Sequence, residues 1–297
     1  MKIALIGILV TITGGIVSAK SKTSVYKKSD FQAKVIYGED DRLDYKDVTD
    51  VYQRISDSTV TLVRSSRLSD RVDGTIGLDT RNFKSSFGLC EDEPFGTQNT
   101  LGFCSGSLIG PDLILTAGHC IKSQSSCEST KFVFDFKVSM ENQSSPSSLN
   151  QDDVYSCDTL VHTEDNSNGA DFAVIKLKRE VVGRQALSVK RDRDVKQGDD
   201  LVVVGYPSGL PVKIAGGSKV RSVRNGYFVA NLDTYGGNSG SAVFDLEKLE
   251  VSGVLVRGER DFVFDGGCRR SNYCSDSGCR GEDVTLISKA LPFIPEN

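Results

Sequence analysis

The chain has 297 residues, 38% of them hydrophobic and 26% charged, with a formal net charge of −4. Residues 1–34 hold six lysines and one aspartate, +5, which leaves −9 on residues 35–297. So acidic a body excludes nucleic acid and anionic membrane as the main partner, because both demand phosphate-neutralising cations. Its length suits one large all-β domain or two smaller barrels.

Met1-Lys2 is followed by an apolar run from Ile3 to Val17 and then by Val17-Ser18-Ala19. A positive start, an apolar core and small residues describe a secretory signal peptide, residues 1–19, cut after Ala19. The run is short for a span of about 20 residues. Nothing later is apolar enough to cross a membrane, so no insertion is expected once the signal is removed. The lysine-rich stretch 20–34 has no apolar periodicity and reads as a removable propeptide. A mature terminus is expected at Val35, after Lys34.

From Val35 onward short apolar runs alternate with polar breaks, after possible helical character near Asp47–Ile55. Strands are expected at Thr59–Val63, Leu101–Ile109, Leu113–Thr116 and Lys131–Val138. In the last, Phe132, Phe134, Phe136 and Val138 alternate with Val133, Asp135 and Lys137. Further strands are expected at Val154–His162, Phe172–Leu177, Leu201–Tyr206, Val212–Ala215, Lys219–Val223, Tyr227–Leu232, Ser241–Phe244 and Glu250–Val256. Val284–Ala290 reads as a helix stopped by Pro292. Many short strands separated by Gly, Ser and Asn indicate an all-β sandwich or barrel. The polar stretch Arg179–Asp199 divides the strands into two groups, 35–185 and 186–297. Two six-stranded antiparallel β-barrels with a short C-terminal helix are therefore expected.

Eight cysteines in an exported chain point to disulfides. Zinc competes for Cys268, Cys274 and Cys279, but their spacing is poor for it and no histidine follows, so no metal is expected. There are only two histidines, His119 and His162. His119 follows an apolar strand in Leu115-Thr-Ala-Gly-His-Cys120. A Cys104–Cys120 bridge would tie its turn to the neighbouring strand, closing a loop of about 15 residues for roughly 3 kcal/mol. A general base needs a carboxylate on Nδ1. Asp171 is the best placed, at the polar start of a strand otherwise suited to burial. Ser239 stands between glycines in Gly236-Gly-Asn-Ser-Gly-Ser241, where the backbone N–H groups of Gly237 and Ser239 suit an oxyanion hole.

The blocks Leu115–Cys120, Ala170–Leu177 and Gly236–Ser241, in that order, resemble the signature blocks of the chymotrypsin-like (trypsin-fold) serine peptidases. The resemblance covers about residues 35–290. It implies a double barrel with His119 and Asp171 from the first barrel, Ser239 from the second, and a Cys104–Cys120 disulfide. Such an enzyme cleaves protein or peptide substrates without a cofactor, here as a secreted monomer. Gly-Gly-Asn-Ser-Gly-Ser and Val35-Ile-Tyr-Gly-Glu-Asp-Asp-Arg are similar to the bacterial glutamyl-endopeptidase-like branch. Asn238 replaces the aspartate that pairs with the new terminal amine in animal trypsins. Asp233, six before the serine, implies a pocket acid for basic P1 residues, with Thr234 beside it. Thr234 also matches the glutamyl branch, but Leu255 falls near the place of that branch's histidine, leaving Arg257 as the available cation. The alternatives are a glutamate-specific endopeptidase and an inactive homologue that only binds. The Cys268–Cys279 insert is expected either to wall the substrate cleft or to brace the fold away from it.

Overall fold

The computed structural model describes residues 33–34, 36–38, 40–140 and 145–296. The signal peptide, most of the expected propeptide and Val35 lie outside the described residues. Of the expected leader only the Ala33–Lys34 pair is described; its backbone pairs with Tyr37–Gly38.

Six antiparallel strands close the first barrel. Around its wall they run Leu113–Thr116, Asp171–Leu177, Val154–Asp165, Thr130–Val133, Thr59–Arg64 and Cys104–Gly110. The second barrel runs Asp200–Gly205, Ala242–Asp245, Val251–Arg257, Glu282–Leu286, Tyr227–Ala230 and Lys213–Val223. It closes where Asp200–Gly205 pairs with Lys213–Val223. Leu43–Asp44 adds a short edge to that last strand.

The second barrel buries both faces of its strands, and the two-residue strand period explains how. Leu201, Val203, Val243 and Leu255 fill its interior. Their neighbours Val202, Val204, Phe244, Val254 and Val256 join the core that continues into the first barrel. Those strands therefore read as unbroken apolar runs.

Several expected elements change on folding. Val284–Ala290 is no helix: Glu282–Leu286 is a fully buried barrel strand, followed by 3-10 turns at Ile287–Lys289 and Leu291–Phe293. Pairing to Tyr227–Ala230 on one side and Val251–Arg257 on the other holds this β-branched segment extended. The strand expected over Lys131–Val138 stops at Val133, since Asp135 takes φ 59°. Phe132, Phe134, Phe136 and Val138 are buried, but so is Val133. Val212–Ala215 and Lys219–Val223 merge into one strand with a register shift across Leu201/Val203 opposite. Helical character near Asp47–Ile55 resolves into the helix Asp50–Asp57, after a 3-10 turn at Tyr45–Asp47.

Four disulfides join Cys90–Cys268, Cys104–Cys120, Cys127–Cys157 and Cys274–Cys279. Cys268, Cys274 and Cys279 therefore offer no thiolate to zinc. Among the described residues no helix is long and apolar enough to cross a membrane.

Candidate active site

His119 sits in a 3-10 turn directly after the Leu113–Thr116 strand. Asp171 opens the neighbouring strand and is 1% exposed. Its Oδ2 lies 2.8 Å from His119 Nδ1, and its Oδ1 accepts the His119 backbone N–H at 3.1 Å. One carboxylate thus fixes both the ring and the turn that carries it. The His119 side chain is 30% exposed, so its far nitrogen is available to a partner. Thr285 of the second barrel secures the Asp171 backbone: its Oγ accepts the Asp171 N–H at 3.0 Å and donates to the Asp171 carbonyl at 2.9 Å.

The sequence offers Arg257 only as a pocket cation. Its Nη1 lies 3.5 Å from Asp171 Oδ2, and its guanidinium donates to the Asn166 and Gly169 carbonyls at 3.1 Å each. Its Nε donates to Asp283 at 3.2 Å. Arg257 therefore clamps the loop leading into Asp171 to the second barrel.

Ser239 is half-buried on the tight turn before Ala242–Asp245. Its carbonyl accepts the Ser105 N–H at 2.8 Å and lies 3.7 Å from the Cys120 sulfur. The serine's backbone is thus seated against the disulfide adjoining His119. Gly240 makes this approach possible: it has φ +92°, and a Cβ there would fall 2.0 Å from the Ser105 carbonyl oxygen. The turn's own bonds run from Asn238 N–H to Tyr235 O, Gly240 N–H to Leu255 O and Ser241 N–H to Asn238 O. The amides of Gly237 and Ser239 donate in none of these. Asn238 Oδ1 accepts the Ser241 hydroxyl at 3.1 Å.

The chain belongs to the trypsin-like peptidase domain family. That family's model matches residues 104–254, which contain His119, Asp171 and Ser239. No curated protein sequence matches the chain. Among solved structures it is similar to the VesB protease of Vibrio cholerae, with 15% identity and a TM-score of 0.52. That match covers 86% of this chain and 66% of the other, just under two thirds of its length. It is also similar to a Glu endopeptidase in complex with MPD, with 18% identity, a TM-score of 0.47, and 80% and 93% of the two chains covered.

Beside Ser239 the chain has a cavity of about 100 Å³ whose lining includes Thr234, Leu255, Arg257, Glu259, Asp261 and Glu282. Asp233, expected at the base of this pocket, is not among its lining residues. Its carboxylate turns instead to the N-terminal segment, accepting the Tyr37 N–H at 2.7 Å and the Asp41 N–H at 3.5 Å. Burial, with Asp41 nearby, pushes Asp233 well above the carboxylate range, and burial pushes Asp41 up to about 7.

The pocket's buried acid is Glu282. It is 4% exposed and accepts the Thr234 hydroxyl at 3.0 Å and the Glu259 N–H at 3.1 Å. Burial pushes it up to about 8. Gly258 leaves room for this carboxylate, since a Cβ there would fall 1.7 Å from Oε2. Asp261, also raised by burial, accepts the Gly236 N–H at 2.8 Å. Thr234 lines the cavity with Glu282, whereas the helix expected over Val284–Ala290 hides that acid in the sequence. His162 stacks on Phe293 with ring centroids 3.8 Å apart and lies 5.2 Å from the Phe172 ring.

Proposed function

We propose that the chain is a secreted serine endopeptidase in which Ser239, His119 and Asp171 form the catalytic triad. The observation that carries this reading is the His119–Asp171 pair at 2.8 Å on one barrel, with the serine of the other barrel's turn lining the adjoining pocket. Ser239 Oγ attacks the scissile carbonyl as His119 Nε2 takes its proton, and Asp171 holds the imidazole and stabilises its cation. The amides of Gly237 and Ser239 receive the oxyanion, each worth about 3–4 kcal/mol in comparable sites. His119 then protonates the leaving amine, and water attacks the acyl-enzyme to release the acid and regenerate the serine. Four disulfides support an oxidising, extracellular setting. Processing after Lys34 completes the proposal.

Basic P1 residues are the preferred substrates in this reading, with Glu282 rather than Asp233 as the pocket acid. Glu259, Asp261 and Glu282 all line the cavity, and although Arg257 lines it too and Arg280 lies near, among the described residues no cation is bonded to the Glu282 carboxylate. A P1 ammonium or guanidinium supplies one. A P1 glutamate would add a further buried carboxylate at a cost on the order of several kcal/mol. The test joins two measurements on the purified protein: serine-directed fluorophosphonate labelling, and hydrolysis of peptides differing only at P1. Labelling and turnover that vanish together in Ser239→Ala support the assignment. Turnover retained by that variant, or cleavage preferentially after Glu, refutes the corresponding half.

A further inference from the structure

After Arg257 the chain leaves the second barrel to form a hairpin, Phe262–Asp265 paired with Cys268–Ser271, that barrel closure does not require. Phe262 opposes Ser271 and Phe264 opposes Arg269, so these four side chains share one face of the hairpin. At its base that face is covered: the Phe262 ring lies 4.8 Å from Tyr235 and 5.8 Å from Phe87, centroid to centroid. Toward the tip it is open. Phe264 is 77% exposed, and with Arg260, Asp261 and Arg269 it lines a shallow depression of about 520 Å³. Among the described residues, neither the Arg260 nor the Arg269 guanidinium has an ion-pair partner.

Two observations distinguish this face from an incidental apolar spot. The first is adjacency: Asp261 lines both the depression and the pocket at Ser239, so the two adjoin. The second is rigidity. Cys268 is bonded to Cys90, the Arg269 N–H donates to Gly88 at 2.8 Å, and Cys90 N–H donates back to Arg269 at 3.0 Å. Arg270 holds Asp92 at 2.8 Å and Asp265 at 3.0 Å. A surface fixed in advance loses little conformational entropy on binding.

We propose that this face is an extended substrate subsite. It takes polypeptide residues flanking the scissile bond, with a large apolar side chain against Phe264 and an acidic one against Arg260 and Arg269. The proposal rests on the peptidase reading above, and its test separates the two. Fluorescent peptides with one basic P1 core, extended on either side by Leu-Glu or by Gly-Ser, are titrated onto Ser239→Ala protein. A Leu-Glu extension on one side is expected to bind about tenfold tighter, the worth of one half-buried apolar side chain plus an ion pair. Phe264→Ser and the double change Arg260→Gln/Arg269→Gln should each remove most of that preference. Equal binding of all the peptides, or a preference that survives both variants, overturns the subsite. With Ser239 present, hydrolysis of a single-residue arginine ester should be the same in hairpin variants and parent. A fall there would mean that the hairpin props up the catalytic site and would also overturn the proposal. Failure of the parent itself to cleave the ester counts against the peptidase reading alone, and the binding titrations still decide the subsite.

Discussion

Asp171 and Glu282 are buried to almost the same degree, 1% and 4% exposed, and each begins an apolar barrel strand. Their surroundings differ in kind. Asp171 faces the His119 ring, the His119 amide and the Arg257 guanidinium. Glu282 has a threonine hydroxyl and one amide, with Asp261 opposing its charge and the more remote Arg280 offsetting it in part. Burial alone therefore does not assign a carboxylate its task; the charge of its partners does. The first acid has its cation built in and is suited to steadying an imidazolium. The second is bonded to no cation among the described residues, with Arg280 acting on it only at a distance.

Asp171→Asn separates the two acids most sharply. It should leave the fold intact yet lower kcat by about 10⁴-fold, because an amide cannot hold the required tautomer. Turnover within tenfold of the parent would remove Asp171 from the mechanism. Next in size, Glu282→Gln should lower kcat/KM for Arg and Lys peptides by roughly 100-fold, the worth of one buried charge-assisted hydrogen bond. Neutral P1 peptides should be cleaved as before, and a uniform loss across P1 residues would show that Glu282 is structural only.

Arg257→Met tests the clamp between the Asp171 loop and the second barrel. A fall of about tenfold in kcat with KM little changed is expected, as for a misaligned catalytic group. A loss confined to KM would instead place Arg257 in substrate binding. The smallest effect concerns pH. Glu282 is raised from its ordinary 4.5 to about 8, so the folded state binds more protons than the unfolded state across that window. Its contribution to stability is full below about pH 4.5 and is lost as pH rises through about 8. Thermal denaturation at pH 5 and pH 8.5 should therefore show a smaller drop in Tm for Glu282→Gln than for the parent. Equal drops would mean that other groups, such as Asp41, carry the dependence.

The two acids also mark how far sequence reasoning reaches. Asp171 is legible as a polar residue opening a strand suited to burial. Glu282-Asp-Val-Thr-Leu286 carries the same signal, but the helical reading of Val284–Ala290 hides it. Asp233 failed in the opposite direction. Its spacing from Ser239 suited a pocket acid, but the backbone of the N-terminal segment at Tyr37 and Asp41 claims its carboxylate.

Local chemistry was legible because it is contiguous. The turn around Ser239, the His119 turn after its strand, and the strand spacing of two barrels each lie within about a dozen residues, where periodicity and turn chemistry act. Which acid faces the serine's pocket, how the other six cysteines pair, and where Phe264 is displayed depend on segments far apart in the chain. Cys90 meets Cys268 across 178 positions. Such contacts are selected by the packing of two closed barrels against each other, and no local pattern encodes that choice.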